Sequence, residues 1–154
     1  MHRFSAGLME RLFGDGPAQL TLEQYKDSIA RDLEALLNTR LAILPEDLAP
    51  YPHCRNSILS YGLVDFADKC MSSPADRAAV CASLKQAIER HEPRMSNVHA
   101  MLEKESGTVN RLHFVISATL RMPSGREPVN FNAVLQPSSL RYSISRSARA
   151  ARNN

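Results

Sequence analysis

No apolar run in this 154-residue chain approaches the roughly 20 residues that a membrane-spanning helix needs. The opening residues form no secretory leader, because Glu10 and Arg11 interrupt a short apolar stretch and no longer one follows. Cys54, Cys70 and Cys81 are odd in number and include no Cys-x-x-Cys pair, which argues against a disulfide framework and a zinc site. A reducing cytosol suits such a chain. Aromatic residues contribute only 6%, too few for a row of base-stacking platforms. His91, His99 and His113 lack the four-residue spacing of a helical metal site, and there is neither an acid-rich calcium loop nor a glycine-rich phosphate loop.

Catalysis finds little support. Asp32, Glu34, Asp65, Asp68 and Glu92 are available acids, but hydrolysis needs two carboxylates about 5 to 10 Å apart with one shielded, and no motif sets such a pair. His53 and Cys54 are adjacent, so their side chains seldom meet, and no oxyanion loop accompanies them. The expectation is a chain without cofactor, metal or enzymatic activity.

What is present is enough for one domain: 44% of residues are apolar and 23% charged. Arg141, Arg146, Arg149 and Arg152 fall in the last fourteen residues, which hold no acid, so that without these four the net charge of +3 becomes −1. The basic character reads as a tail. Lacking any nucleic-acid motif, it points to a solvated or partner-facing segment.

Phe4, Leu8 and Leu12 recur every four residues, with Met9 and Phe13 alongside, which predicts a short helix over 4–13 that Gly14-Asp-Gly-Pro17 cuts off. Either it packs on its own domain, or residues 1–17 form a docking segment ordered by a partner. Thr21 and Gln24 form a capping box, and Leu22, Tyr25, Ile29, Leu33, Leu36 and Leu37 give the next helix its core face, with Pro45 helping to end it. Arg31, Asp32, Glu34 and Arg40 fall away from that face as solvated charges. A short helical turn is expected at 64–67. A second long helix starts at Ser73, Pro74 and Asp76, buries Val80, Leu84, Ala87 and Ile88, and stops at Pro93.

Beyond Pro93 the apolar period shortens to two. Val98, Ala100 and Leu102 form one strand and, past a turn at Ser106-Gly107, Leu112 to Leu120 form another. A third strand follows the Pro123-Ser-Gly125 turn with Val129 to Leu135, and a fourth holds Leu140, Tyr142 and Ile144. Short connections favour antiparallel neighbours. The fold class is therefore α+β: N-terminal helices on a four-stranded, mainly antiparallel C-terminal sheet, with one domain over 18–146 and a basic tail over 147–154. Glu92 and Arg94 flank a rigid proline at the helix-to-strand corner, and on physics alone an internal salt bridge closing that corner is the better reading.

Five segments in order resemble the TssE subunit of the type VI secretion baseplate, a relative of the small wedge protein of contractile phage baseplates. They are Ala6-Gly-Leu-Met-Glu-Arg-Leu12, Arg31-Asp-Leu-Glu-Ala-Leu-Leu-Asn-Thr-Arg40, Ser57-Ile-Leu-Ser-Tyr-Gly-Leu63, His91-Glu-Pro-Arg94 and Glu127-Pro-Val-Asn-Phe131. Val64 departs from the family's usual proline, and the tail after Ile144 lies outside the resemblance. What the resemblance implies is a non-enzymatic wedge subunit of a cytoplasmic baseplate, held at the inner membrane through other proteins and not inserted itself. Its implied partners are TssF, TssG and TssK in the baseplate and the sheath subunits TssB and TssC. Glu92, Pro93 and Arg94 then become a contact with the helical core bundle of the wedge, and Arg31, Asp32, Arg40, Leu8 and Leu12 further docking candidates. The sheet suggests how a sheath starts: outer strands carry unpaired N–H and C=O groups, to which a sheath strand adds. Arg94→Glu is expected to abolish wedge binding and leave the domain folded. A regulatory adaptor and, less favoured, a peptidoglycan hydrolase are the rival readings.

Overall fold

The computed structural model describes residues 4–13, 19–103, 111–136 and 138–147, apart from the side chain of Met9. Helix α2 (Leu22–Asn38) begins at the capping box read from the sequence: Gln24 N–H donates to Thr21 Oγ1 and Thr21 N–H to Gln24 Oε1. It ends seven residues before Pro45, because the chain turns extended at Thr39 and bridges Leu63 in parallel. Leu63 N–H donates to Thr39 C=O at 2.8 Å, and Leu41 N–H to Leu63 C=O at 3.0 Å. Gly62 permits this approach. Its φ is +122°, and a Cβ there would stand 2.5 Å from the Thr39 carbonyl oxygen.

Helix α4 (Pro74–His91) starts as expected, with Ser73 Oγ accepting from Asp76 N–H and proline in the first turn. Between the long helices, the helical turns fall at α3 (Pro52–Arg55) and a 3₁₀ turn (Ile58–Ser60), earlier than the expected 64–67. At that position Asp65 Oδ1 instead accepts from Ala67 N–H at 3.1 Å, a side-chain turn that competes with a helix.

The sheet is the expected meander: β3 (Met95–Glu103), β4 (Leu112–Met122), β5 (Gly125–Gln136) and β6 (Arg141–Arg146), each antiparallel to its neighbour and ordered β3-β4-β5-β6. Leu140 does not join the fourth strand. Its φ is +52° and it sits in the turn before Arg141. A bulge between Ser96 and His99, with Asn97 at φ +52°, lets both Met95 and Val98 face inward despite their odd spacing. The turn expected at Ser106-Gly107 lies outside the described residues.

α2 and α4 cover one face, α2 beside β6 and α4 beside β3. Ile29, Leu33, Leu84, Ile88, Val98, Ile116, Leu120 and Phe131 are all but inaccessible there, each contributing about 1.5–3 kcal/mol by leaving water. Tyr142 reaches the same core. Its hydroxyl is buried and unpartnered among the described residues, and burial pushes its pKa up to about 12.

The predicted helix over 4–13 divides. Phe4–Ser5 is a short strand, β1, paired with β2 (Gln19–Leu20), and only Leu8–Leu12 is helical, as α1. The cause lies in Phe4, which is buried and stacks on Tyr25 with ring centroids 4.6 Å apart. The basic end of the chain also differs from a simple tail. Arg141 and Arg146 belong to β6, and Arg146 pairs with Glu23 and, at 2.7 Å, Asp27. Arg149 and Arg152 lie outside the described residues.

Candidate functional site

The corner between α4 and β3 gathers more charge than its own sequence supplies. Glu92 caps α4, its N–H donating to Ile88 C=O, and its side chain is only 5% exposed. Its carboxylate accepts from Arg94 Nε at 2.6 Å, from Arg94 Nη2 at 2.5 Å and from Arg94 N–H at 3.2 Å. Arg94 Nη2 also donates to Asp32 on α2. Burial works to lower the Arg94 pKa, but the Glu92 and Asp32 carboxylates outweigh it and hold the group above its ordinary value. The guanidinium further lies 5.8 Å from the Tyr25 ring centroid, which ties the corner to Phe4 and β1.

The internal salt bridge favoured on physical grounds is therefore present. Asp32 joins it from 62 residues away. This also bears on catalysis: Asp32 and Glu92 are two acids brought together, and one arginine bridges both. Arg94→Glu would place three carboxylates at a half-buried spot, so the expectation that it leaves the fold intact does not survive the geometry.

The other candidate residues divide between this corner and its surroundings. Pro93 is exposed, and with Gly7, Leu8, Asp32, His91 and Arg94 it lines a depression of ≈ 370 Å³. His91 is fixed there, its Nε2–H donating to Ser60 C=O at 2.9 Å and its ring standing edge-on to Tyr61. Arg31 turns to another side of α2, as consecutive helical residues must, and pairs with Glu10 of α1 at 2.5 Å. That pair fastens α1 beside α2 and presents Leu8 and Leu12, which are 72% and 67% exposed. Arg40 lies past the end of α2 and pairs with Asp65 at 3.1 Å. Corner, α1 and the upper face of α2 thus form one continuous surface, and Arg40 stands outside it.

The two borders of the sheet are unlike. Arg121 N–H donates to Arg94 C=O, so by the two-residue alternation of an antiparallel ladder His99, Met101 and Glu103 turn their backbone groups to β4. Ala100 and Leu102 turn theirs outward, where the Cys81 thiol of α4 hydrogen-bonds the Leu102 main chain and no further strand pairs with β3 among the described residues. On β6, outward-facing groups meet α2 instead. Tyr142 N–H donates to Asn38 Oδ1 at 2.8 Å, Tyr142 C=O accepts from Asn38 Nδ2 at 2.9 Å, and Ile144 N–H donates to Glu34 Oε2 at 2.9 Å. Glu34, expected from the sequence to be a solvated charge, and Asn38 therefore hold the border of the sheet. Their four-residue spacing was the one available signal.

No group of three metal-ligating side chains occurs among the described residues, and no described helix is long and apolar enough to cross a membrane. The described residues thus form a helix-covered antiparallel meander with a charged corner where α4 meets β3. The family described as baseplate wedge protein gp25 matches residues 23–124, and the chain belongs to that family. This bears out the resemblance to TssE, with the motifs at 31–40, 57–63 and 91–94 inside the match and those at 6–12 and 127–131 outside it, and gives the protein a structural role in a baseplate. Its fold is similar to a chain in a solved structure described as "The baseplate complex from the type VI secretion system", with a TM-score of 0.51 and 16% identity over 74% of this chain and 96% of that one. No curated protein matches the sequence.

Proposed function

We propose that this protein is a wedge subunit of a type VI secretion baseplate that docks on TssF, TssG and TssK and starts the sheath of TssB and TssC by accepting a strand. The work is done in the cytoplasm, at a baseplate held to the inner membrane by other proteins. The observation that carries the reading is the asymmetry of the sheet. β3 offers the outward N–H and C=O groups of Ala100, with only the Cys81 thiol meeting the main chain of Leu102, whereas both groups of Tyr142 and the N–H of Ile144 are taken by side chains of α2. A strand laid along β3 gains main-chain bonds and displaces only the weak thiol contact of Cys81 at Leu102.

Wedge docking is assigned to the continuous surface of Pro93, Arg94, Asp32, Arg31, Leu8 and Leu12, with Glu92 as the buried counter-charge that aims Arg94. Arg40, set apart, is the weakest of the candidates. Residues 1–17 carry α1 and serve this docking.

Ala100→Pro tests strand acceptance. Proline at an outward edge position removes one N–H and spares the ladder to β4. The variant should still co-purify with TssF and TssG and lose TssB and TssC. Retention of all four would overturn the reading.

A further inference from the structure

The border at β6 is closed by a helix imitating a strand. Four α-helical residues advance about 6 Å, and two strand residues advance about 6.7 Å. Residues four apart on α2 therefore meet alternate residues of β6 in step. Asn38 stands against Tyr142, and Glu34 against Ile144. The chemistry matches as well as the spacing. An amide side chain carries its donor and acceptor side by side and so satisfies both the N–H and C=O of one residue, and a carboxylate suits a lone N–H. About two and three turns further toward the start of α2, Asp27 and Glu23 hold the side chain of Arg146 and fix the far end of the strand.

We infer that Glu34 and Asn38 form an edge lock that keeps β6 from accepting a second copy of this chain. Freed of the lock, β6 would offer the outward groups of Tyr142 and Ile144 in a row. An identical chain would bring the same row, and the two would pair antiparallel about a two-fold axis, as self-complementary interfaces do. The lock makes the sheet one-sided, so that growth proceeds from β3 alone. The part concerning β3 rests on the proposed function; the lock on β6 stands without it.

The test uses the full-length chain and no sheath protein, so failure of strand acceptance at β3 and failure of the lock are read separately. Glu34→Ala combined with Asn38→Ala is compared with the wild type by sedimentation and by capture of a labelled peptide with the sequence of residues 141–146. The double variant should self-associate and bind the peptide about tenfold or more tightly, since several main-chain bonds become available. The Ile144 amide should exchange faster in dilute solution and slow on association. Glu34→Gln keeps the acceptor and should behave as wild type. A folded double variant that neither self-associates nor captures more peptide than wild type overturns the inference. If the double variant fails to fold, Glu34→Ala alone decides by the same capture measurement. Peptide binding by Glu34→Gln equal to that by Glu34→Ala would also overturn it.

Discussion

Replacing Arg94 by methionine keeps most of the side chain's bulk and removes the cation from a carboxylate that is 5% exposed. Removing one partner of a fully buried ion pair costs about 3–5 kcal/mol, because the remaining charge stays out of water without compensation. The low end applies here. Arg94 is itself 24% exposed, and Glu92 keeps the hydrogen bond from the Arg94 main-chain N–H at 3.2 Å. A loss of about 3 kcal/mol follows, equivalent to about 9 °C in Tm for a chain of this size. Asp32→Asn touches the same guanidinium from a side chain that is 55% exposed and should cost under about 1 kcal/mol. Combining Arg94→Met with Glu92→Gln should recover much of the loss, since no buried charge is then left unpaired. Urea unfolding of the three variants measures this directly. An Arg94→Met cost below about 0.5 kcal/mol, or one no larger than that of Asp32→Asn, would refute the view that Arg94 compensates a buried Glu92.

Gly62→Ala should cost about 3 kcal/mol or more, because a Cβ at φ +122° meets the Thr39 carbonyl and forces apart the bridge to Leu63; thermal unfolding reads it, and an unchanged Tm contradicts it. Tyr142→Phe removes a buried hydroxyl that has no partner among the described residues and should stabilise by about 1 kcal/mol. It should also flatten the alkaline limb. With a folded pKa raised to about 12, the neutral phenol's contribution is complete below about pH 10 and is lost as pH rises from 10 to 12, where the unfolded chain ionises first. Equal alkaline slopes for wild type and variant would show that burial does not act on this group.

Elements governed by neighbouring residues were legible from the sequence. The Thr21–Gln24 box, the Ser73–Pro74 start of α4 and the alternation from Leu112 to Leu120 all follow from local rules, and all stand in the fold. What escaped was set by distant partners. Nothing near Phe4 predicts that β2 and Tyr25 convert it from helix to strand, and Pro45 misled because the bridge to Leu63 ends α2 first. At the candidate site, Glu92, Pro93 and Arg94 were readable as a charged corner. The third member, Asp32, lies 62 residues away, and the seal on β6 joins residues 104 and 110 apart. Long-range pairing of this kind leaves only a faint trace in one sequence, here the spacing of Glu34 and Asn38 on α2.

The outward amides of β3 offer the most direct measurement. Hydrogen exchange at Ala100, followed residue by residue as TssB–TssC subunits are added, should slow markedly, while His99 and Met101, already bonded to β4, change little. Sheath subunits bound to the protein with Ala100 still exchanging at its free rate would contradict strand addition at β3.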